Sequence, residues 1–349
     1  MDEEQKTEDI SSVPQEHKED GAGEHREGPP VAFNSWFVFL LGICALGMGW
    51  YFLNSFFPQK ITIVERTIQE QKDESRFFRR PISRPLEQPQ LIATHEPLTA
   101  LMSNFDISPI DVGAKAVLVS DLTTEVDLFS KDPDKIWPIA SITKLLTAAV
   151  AEELFLPNRI ITVSKDAVAI EGGAGGLQAG EKFQRDNLIQ LMLLVSSNDG
   201  AEALREEGGD GFLARMHSVV TGLGLRNTHI EEVTGLSPLN VSTPRELKSI
   251  VQYMYRVHPT LLRMTMPKGV TISSSFKKHK LVNIDYLSLH PDLGFIGGKT
   301  GTIDESGQNI VAVFEHDNHT IAIILLGSSD RFKEVEQLLQ WVKKAYTFR

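Results

Sequence analysis

The sequence predicts an α+β globular part behind a single membrane-spanning helix, and three observations carry this. Two pairs of apolar, β-prone runs are joined by short polar turns: Lys115 to Ser120 with Glu125 to Ser130, and Gln308 to Glu315 with Thr320 to Leu326. Between and after these hairpins lie segments with apolar residues at helical spacing. Ahead of them, Ser35 to Phe57 carries no charged residue, long enough to cross a bilayer, which takes about 20 residues.

Taken in order, residues 1–34 read as an acidic, disordered tail. Residues 1 to 30 hold ten Asp or Glu against Lys6, Lys18 and Arg26, a net of -7, so only -4 of the formal -11 belongs to the rest of the chain. That balance gives nothing a nucleic acid would bind. Residues 35–57 form the transmembrane helix, with Trp36 and the Trp50-Tyr51 pair towards its ends as interfacial aromatics. The long acidic lead, where a signal peptide has a short basic one, favours a retained anchor over a cleaved signal peptide. Residues 58–90, rich in charge, Gln and Pro, read as a stalk, and residues 91–349 as the globular part.

Orientation carries a conflict. Lys18 and Arg26 precede the span, whereas Lys60, Arg66, Lys72 and Arg76 follow it, and that count alone places the C-terminal part in the cytoplasm. Large domains translocate largely regardless of charge, and the chemistry developed below needs a substrate outside the cytoplasm, so the expected location is the cell membrane with the globular part outside. Cys44, the only cysteine, lies within the span, which excludes an intrachain disulfide and thiolate metal ligation in the globular part. The ten His residues form no His-Glu-x-x-His or comparable spacing, so no metal and no cofactor is expected.

After the first hairpin, Trp137 to Lys144 passes from strand and turn into an apolar helix whose first turn carries Ser141 and Lys144, three residues apart and on one face. This spacing suits a nucleophile and its base. A neutral Lys144 can take the Ser141 proton, and burial or a second cation would keep it neutral. The free backbone N–H groups and positive dipole end of the helix suit a developing oxyanion. Ser-x-x-Lys also occurs at Ser274/Lys277 and Ser275/Lys278, but inside a polar run, whereas Ser141 is followed by Ile142, Leu145, Leu146, Ala149, Val150 and Leu154, which bury one helix face.

Gly172 to Gly176 matches no phosphate-binding fingerprint and reads as a flexible loop. Leu177 to Lys182 forms a turn before the apolar helix Leu188 to Val195. Ser196-Ser197-Asn198 follows at once, the only Ser-x-Asn in the chain, and reads either as a hydroxyl and an amide entering a cleft or as a small polar helix cap. Lys299-Thr300-Gly301-Thr302 contains the only Lys-Thr-Gly, leading into the second hairpin. Gly298 and Gly301 would let a substrate backbone approach, Lys299 and Thr300 would bind a terminal carboxylate, and Lys299 would be the cation that keeps Lys144 neutral. Asp330 to Tyr346 reads as a closing amphipathic helix with Phe332, Val335, Leu338, Leu339 and Val342 inward.

Ser-x-x-Lys, Ser-x-Asn and Lys-Thr-Gly in this order resemble the motif set of penicillin-binding proteins and serine β-lactamases. The flanking stretches, AKAVLVSDLTTEVDLFSKDPDKIWPIASITKLLTA, GLQAGEKFQRDNLIQLMLLVSSNDGAEAL and TGLSPLNVSTPRELKSIV, are similar to the low-molecular-mass D-alanyl-D-alanine carboxypeptidases, over about residues 112 to 346. The resemblance implies a β-lactamase/transpeptidase-like fold, an antiparallel sheet of about five strands covered by the terminal helices and by a helical subdomain. It implies Ser141 as the acyl-ester nucleophile, Lys144 as proton acceptor, and Ser196 and Asn198 lining the cleft. Lys299, Thr300, Gly301 and Thr302 form the substrate strand, and the oxyanion hole is the backbone N–H groups of Ser141 and Thr302. The implied partners are peptidoglycan stem peptides ending in D-Ala-D-Ala, with β-lactams as covalent inhibitors. Neither the β-rich domain nor the C-terminal anchor helix of some members is expected here, so the N-terminal span takes the anchoring role.

An endopeptidase that opens cross-links would use the same residues. A class A β-lactamase needs a Glu-x-x-x-Asn signature to direct water. The residue four before Asn240 is Leu236. A binding protein without turnover is disfavoured because every chemical position of the three motifs is filled.

Overall fold

The computed structural model describes residues 100–102, 107 and 110–348, all within the unit Ala93–Arg349. The expected tail, membrane span and stalk lie outside the described residues. Among the described residues no helix is long and apolar enough to cross a membrane.

A five-stranded antiparallel sheet organises this unit, in the order Phe295–Ile303, Gly307–His316, His319–Ser328, Ala116–Asp121, Asp127–Lys131. Both expected hairpins are present. The second closes on Asp317 and Asn318 with φ of 49° and 63°, the paired left-handed residues that a two-residue hairpin turn requires. The strands read as continuous apolar runs because both sheet faces are covered. Val117, Val119, Ala312, Phe314, Ile323 and Leu325 face the closing helix Arg331–Ala345 through Val335, Leu338, Leu339 and Val342. Val311, Val313, Ala322, Ile324 and Leu326 face the helical subdomain. The closing helix starts where expected, with the Asp330 side chain accepting from the Lys333 N–H. Phe332 is half-buried, packs against the edge of that core and meets the Tyr286 ring at a tilt. Of the two terminal helices implied by the resemblance, the C-terminal one covers the sheet, and an N-terminal one falls outside the described residues.

The helical subdomain packs Thr143–Leu154, Arg185–Val195, Asn198–Gly208 and Asp210–Gly222 around Leu145, Leu188, Met192, Leu204 and Phe212. The helix Arg185–Val195 begins three residues before the apolar run, because Arg185, buried on its first turn, donates to the carbonyls of Glu152 and Phe155. Ser274 and Ser275 lie in the turn between strands Gly269–Ser273 and Lys278–Val282, where the Ser274 hydroxyl donates to Glu181. A turn serine tied to a carboxylate is not a nucleophile on a helix.

The Gly172 to Gly176 loop departs from expectation. Asn198 Nδ2 donates to Glu171 O at 2.7 Å, Ala174 N to Asp199 Oδ1 at 3.2 Å, and Lys277 Nζ to Gly176 O at 2.8 Å, while His279 Nδ1 meets Gly175 O at 2.8 Å. Partners distant in sequence therefore fix a stretch whose glycines alone read as flexible. Asp121 anchors the central strand: it is fully buried, meets His319 Nδ1 at 2.7 Å and accepts from Thr123 N at 2.9 Å. Asp121→Ala should lower stability by about 3 kcal/mol, because it strips buried polar groups of their carboxylate. A urea midpoint equal to the wild type would contradict this.

Candidate active site

The nucleophile turn is assembled from three directions. Ser141 sits in a 3₁₀ turn, Ala140–Ile142, which feeds directly into the helix Thr143–Leu154, so Lys144 is on the helix and Ser141 just ahead of it. Ala140 is held at φ 49°, a left-handed conformation costing roughly 1 kcal/mol for a residue with a Cβ. The surroundings enforce it. Thr143 Oγ1 donates to Ala140 O at 2.8 Å, and Gly235 packs so closely that a Cβ there would lie 2.1 Å from Ala140 O and 2.8 Å from Ser141 N. On another side, a Cβ at Gly301 would lie 2.8 Å from Ile139 O and 3.0 Å from Ser141 N.

This corrects the expectation for the edge-strand glycines. Gly301 is glycine because the nucleophile turn fills the space over its α-carbon, and Gly298 because a Cβ would lie 2.3 Å from Val311 O on the neighbouring strand. The room they provide is taken by the protein's own backbone.

The three motifs meet. Lys144 Nζ lies 3.0 Å from Ser141 Oγ and 2.7 Å from Asn198 Oδ1, and also donates to Thr234 O. Lys299 Nζ donates to Ser196 Oγ at 2.9 Å and to Thr300 O at 2.7 Å. Ser196 ends the helix Arg185–Val195 at φ 60° and Ser197 caps the next, accepting from Gly200 N at 3.0 Å. Ser196-Ser197-Asn198 is thus a pair of helix caps, and those two capped ends also bring Ser196 to Lys299 and Asn198 to Lys144. Thr300 and Gly301 are buried in the strand and Thr302 is exposed at its end.

Both amines are out of water, Lys144 at 0% exposure and Lys299 at 2%, whereas the hydroxyls of Ser141 and Ser196 belong to half-buried residues. Burial lowers Lys144 to about 7, opposed by the negative charges of Glu232 and Asp199. Lys299 is lowered well below an ordinary lysine, first by burial and then by the charge of Lys144, opposed by Asp285. Burial is the first cause at both amines, and the repulsion between Lys144 and Lys299, which acts on both, comes after it. Lys144 faces two carboxylates, Glu232 and Asp199, while Lys299 shares its single carboxylate, Asp285, with Arg331. Asp285 is itself pushed up to about 6 by burial.

Two groups of residues escaped sequence reasoning. Arg331 Nη1 donates to Gly301 O at 2.9 Å, Thr302 Oγ1 at 2.8 Å and Asn309 O at 3.1 Å, and its buried Nε has no hydrogen-bond partner. It opens the closing helix, whose amphipathic pattern gave it no special standing. Glu232, Thr234 and Gly235 lie in the stretch TGLSPLN and the residues just before it, which carry no general chemical motif. The arrangement as a whole is a hydroxyl beside a desolvated amine, a second hydroxyl on a second buried amine, and a cationic strand edge, which together can run nucleophilic acyl transfer.

Residues 103–330 match the family model described as D-alanyl-D-alanine carboxypeptidase. The chain is 31% identical over 223 residues to the D-alanyl-D-alanine endopeptidase of Haemophilus influenzae, covering 62% of this chain and 76% of the relative. It is 28% identical over 261 residues to the D-alanyl-D-alanine carboxypeptidase DacC of Escherichia coli, covering 70% and 64%. Among solved structures, a D-alanyl-D-alanine carboxypeptidase from Mycobacterium tuberculosis superposes with a TM-score of 0.63 at 25% identity, covering 67% of this chain and 92% of that one.

Gly235→Ala should cost at least about 2 kcal/mol, lowering the melting temperature by roughly 4–8 °C, because a Cβ at φ 83° meets the Ala140 carbonyl. Gly224→Ala, at φ 71° with nothing within 4 Å, should cost only about 1 kcal/mol. Equal melting temperatures for the two variants would contradict the close packing at the nucleophile turn.

Proposed function

We propose that this chain, which belongs to the D-alanyl-D-alanine carboxypeptidase family of serine peptidases, removes the terminal D-Ala from peptidoglycan stem peptides through an acyl-enzyme on Ser141. The observation that carries the assignment of roles is Lys144 Nζ at 3.0 Å from Ser141 Oγ in a site where burial lowers the amine to about 7. Neutral Lys144 takes the Ser141 proton as Oγ attacks the carbonyl carbon of the penultimate D-Ala. The oxyanion is received by the backbone N–H groups of Ser141 and Thr302. The proton returns to the departing amine through Ser196, whose hydroxyl Lys299 holds. Water then hydrolyses the ester, with Lys144 again the base. Asn198 orients Lys144. Lys299 and Thr300 receive the terminal carboxylate, and the Arg331 guanidinium adds positive charge at the same strand end.

A second reading, cleavage of cross-links, is favoured by the relatives from Haemophilus influenzae and Pseudomonas aeruginosa, both named endopeptidases, at 31% and 27% identity. It uses the same catalytic residues and differs in what lies beyond the scissile bond. We propose a membrane-anchored enzyme with the catalytic part outside the cytoplasm, because the uncharged stretch Ser35 to Phe57 can span a bilayer and the substrate is extracellular.

Incubation with a D-Ala-D-Ala pentapeptide and with a cross-linked dimer tests both readings: free D-Ala marks the first, and monomers from the dimer the second. A penicillin should add its mass to Ser141. Ser141→Ala should abolish adduct and product, and Lys144→Ala should remove acylation with the fold intact. Thr300→Val should weaken peptide turnover. The acylation rate should fall as pH drops through about 7, because protonated Lys144 cannot accept a proton, and level off above it. A rate flat across that range would remove Lys144 as the base.

A further inference from the structure

Beside the nucleophile turn lies a loop that holds no group of the three motifs yet contacts both Ser141 and Lys144. Its centre is Glu232, whose carboxylate is saturated with donors. Oε1 accepts from Gly235 N at 2.7 Å, Asn240 Nδ2 at 3.1 Å and Ser237 N at 3.3 Å; Oε2 accepts from Thr234 Oγ1 at 2.6 Å and from Thr234 N. Buried Asn240 locks the loop to the helix start. Its Oδ1 accepts from Glu231 N at 2.8 Å, its Nδ2 donates to Thr143 Oγ1 at 3.1 Å, and its carbonyl accepts from Ile139 N at 2.9 Å. Thr147 Oγ1 adds a bond to Val233 O at 2.7 Å.

This construction delivers two things to Lys144: the Thr234 carbonyl, which accepts from Nζ, and a negative charge. It also delivers Gly235 against the Ala140–Ser141 peptide. We infer that Glu232 is a positioning residue for the acylation step: its carboxylate folds the loop so that an acceptor carbonyl and an anionic charge both face the Lys144 amine. This rests on the proposed role of Lys144 as base. The chemical consequence is a balance. Burial alone would leave an amine too weakly basic to take a serine proton, and the facing charge restores proton affinity without supplying a proton acceptor of its own. Glu232 does not direct water, because five donors already occupy its oxygens.

The charged groups facing Lys144 are Glu232 from the loop, Asp199 from the helix Asn198–Gly208, and Lys299 from the edge strand; Ser141, Asn198 and Thr234 present neutral groups. Glu232→Gln keeps the shape and removes the charge. The ammonium form of Lys144 then loses its proton more readily, so the acid limb of acylation should move to lower pH by roughly half a unit or more, and the plateau rate should fall about tenfold.

The test is penicillin acylation of the full chain, followed by intact mass across the pH range, with melting temperature as the fold control. A folded E232Q whose acid limb coincides with the wild type overturns the assignment. Should E232Q fail to fold, Glu232→Asp decides: with the charge kept and the arm shortened, its limb should stay near the wild-type position while the plateau falls, and a limb displaced downward overturns the charge role. A wild-type chain that forms no adduct at any pH overturns the peptidase reading and this assignment with it; a wild-type adduct with an unmoved limb in E232Q overturns this assignment alone.

Discussion

The rest of the site depends on the removal of one amine from water. Taking Lys144 from an ordinary lysine to about 7 represents on the order of 5 kcal/mol of lost preference for the charged form. A folded chain of ordinary stability carries such a term only if the amine's hydrogen bonds are replaced, and here they are, by Ser141 Oγ, Asn198 Oδ1 and Thr234 O. Those three acceptors come from the turn before the helix, from a helix N-terminus and from a loop. Each needs its own support: a left-handed Ala140 for the first, a left-handed Ser196 that aims the two capped helix ends for the second, and the Glu232 knot for the third. The strained positions near the chemistry are the geometric cost of bringing three acceptors to one nitrogen.

The five-stranded sheet explains why such an arrangement holds its shape. Its strands are apolar on both faces, so the closing helix and the helical subdomain grip it from opposite sides, and the edge strand Phe295–Ile303 cannot slide without unpacking two cores. That edge strand carries Lys299 to Ser196 and presses Gly301 on the nucleophile turn. Edge position is also what leaves one side of the strand unpaired, and a peptide laid along it would complete the sheet.

Legibility in the sequence followed the range of the interactions. Hairpins, helices and the three motifs depend on neighbours in the chain, and the strands and helix bounds emerged within a few residues of where the pattern placed them. What could not be read was set by contacts across long separations. Gly172 to Gly176 looks flexible until Asp199, Lys277 and His279 are seen holding it. Gly301 looks like an opening for substrate until Ile139 and Ser141 are seen filling it. The charges flanking the two amines could not be read for the same reason: Glu232, Asp199, Asp285 and Arg331 all lie outside the three motifs.

The division between buried amines and half-buried hydroxyls constrains the proposed reaction further. A hydroxyl at the surface of the site can reach an incoming carbonyl, and the amine behind it stands ready to take the proton that hydroxyl loses. Glu232, the carboxylate beside this path, spends its oxygens on the backbone of its own loop and on Thr234 and Asn240. Glu232 therefore offers no free oxygen to a water at the acyl-enzyme of the proposed reaction. An adduct whose bulk kept water from Lys144 would find no second base in Glu232. On the proposed reaction, slow release of such adducts is the expected consequence of the same saturated carboxylate that positions the Thr234 carbonyl.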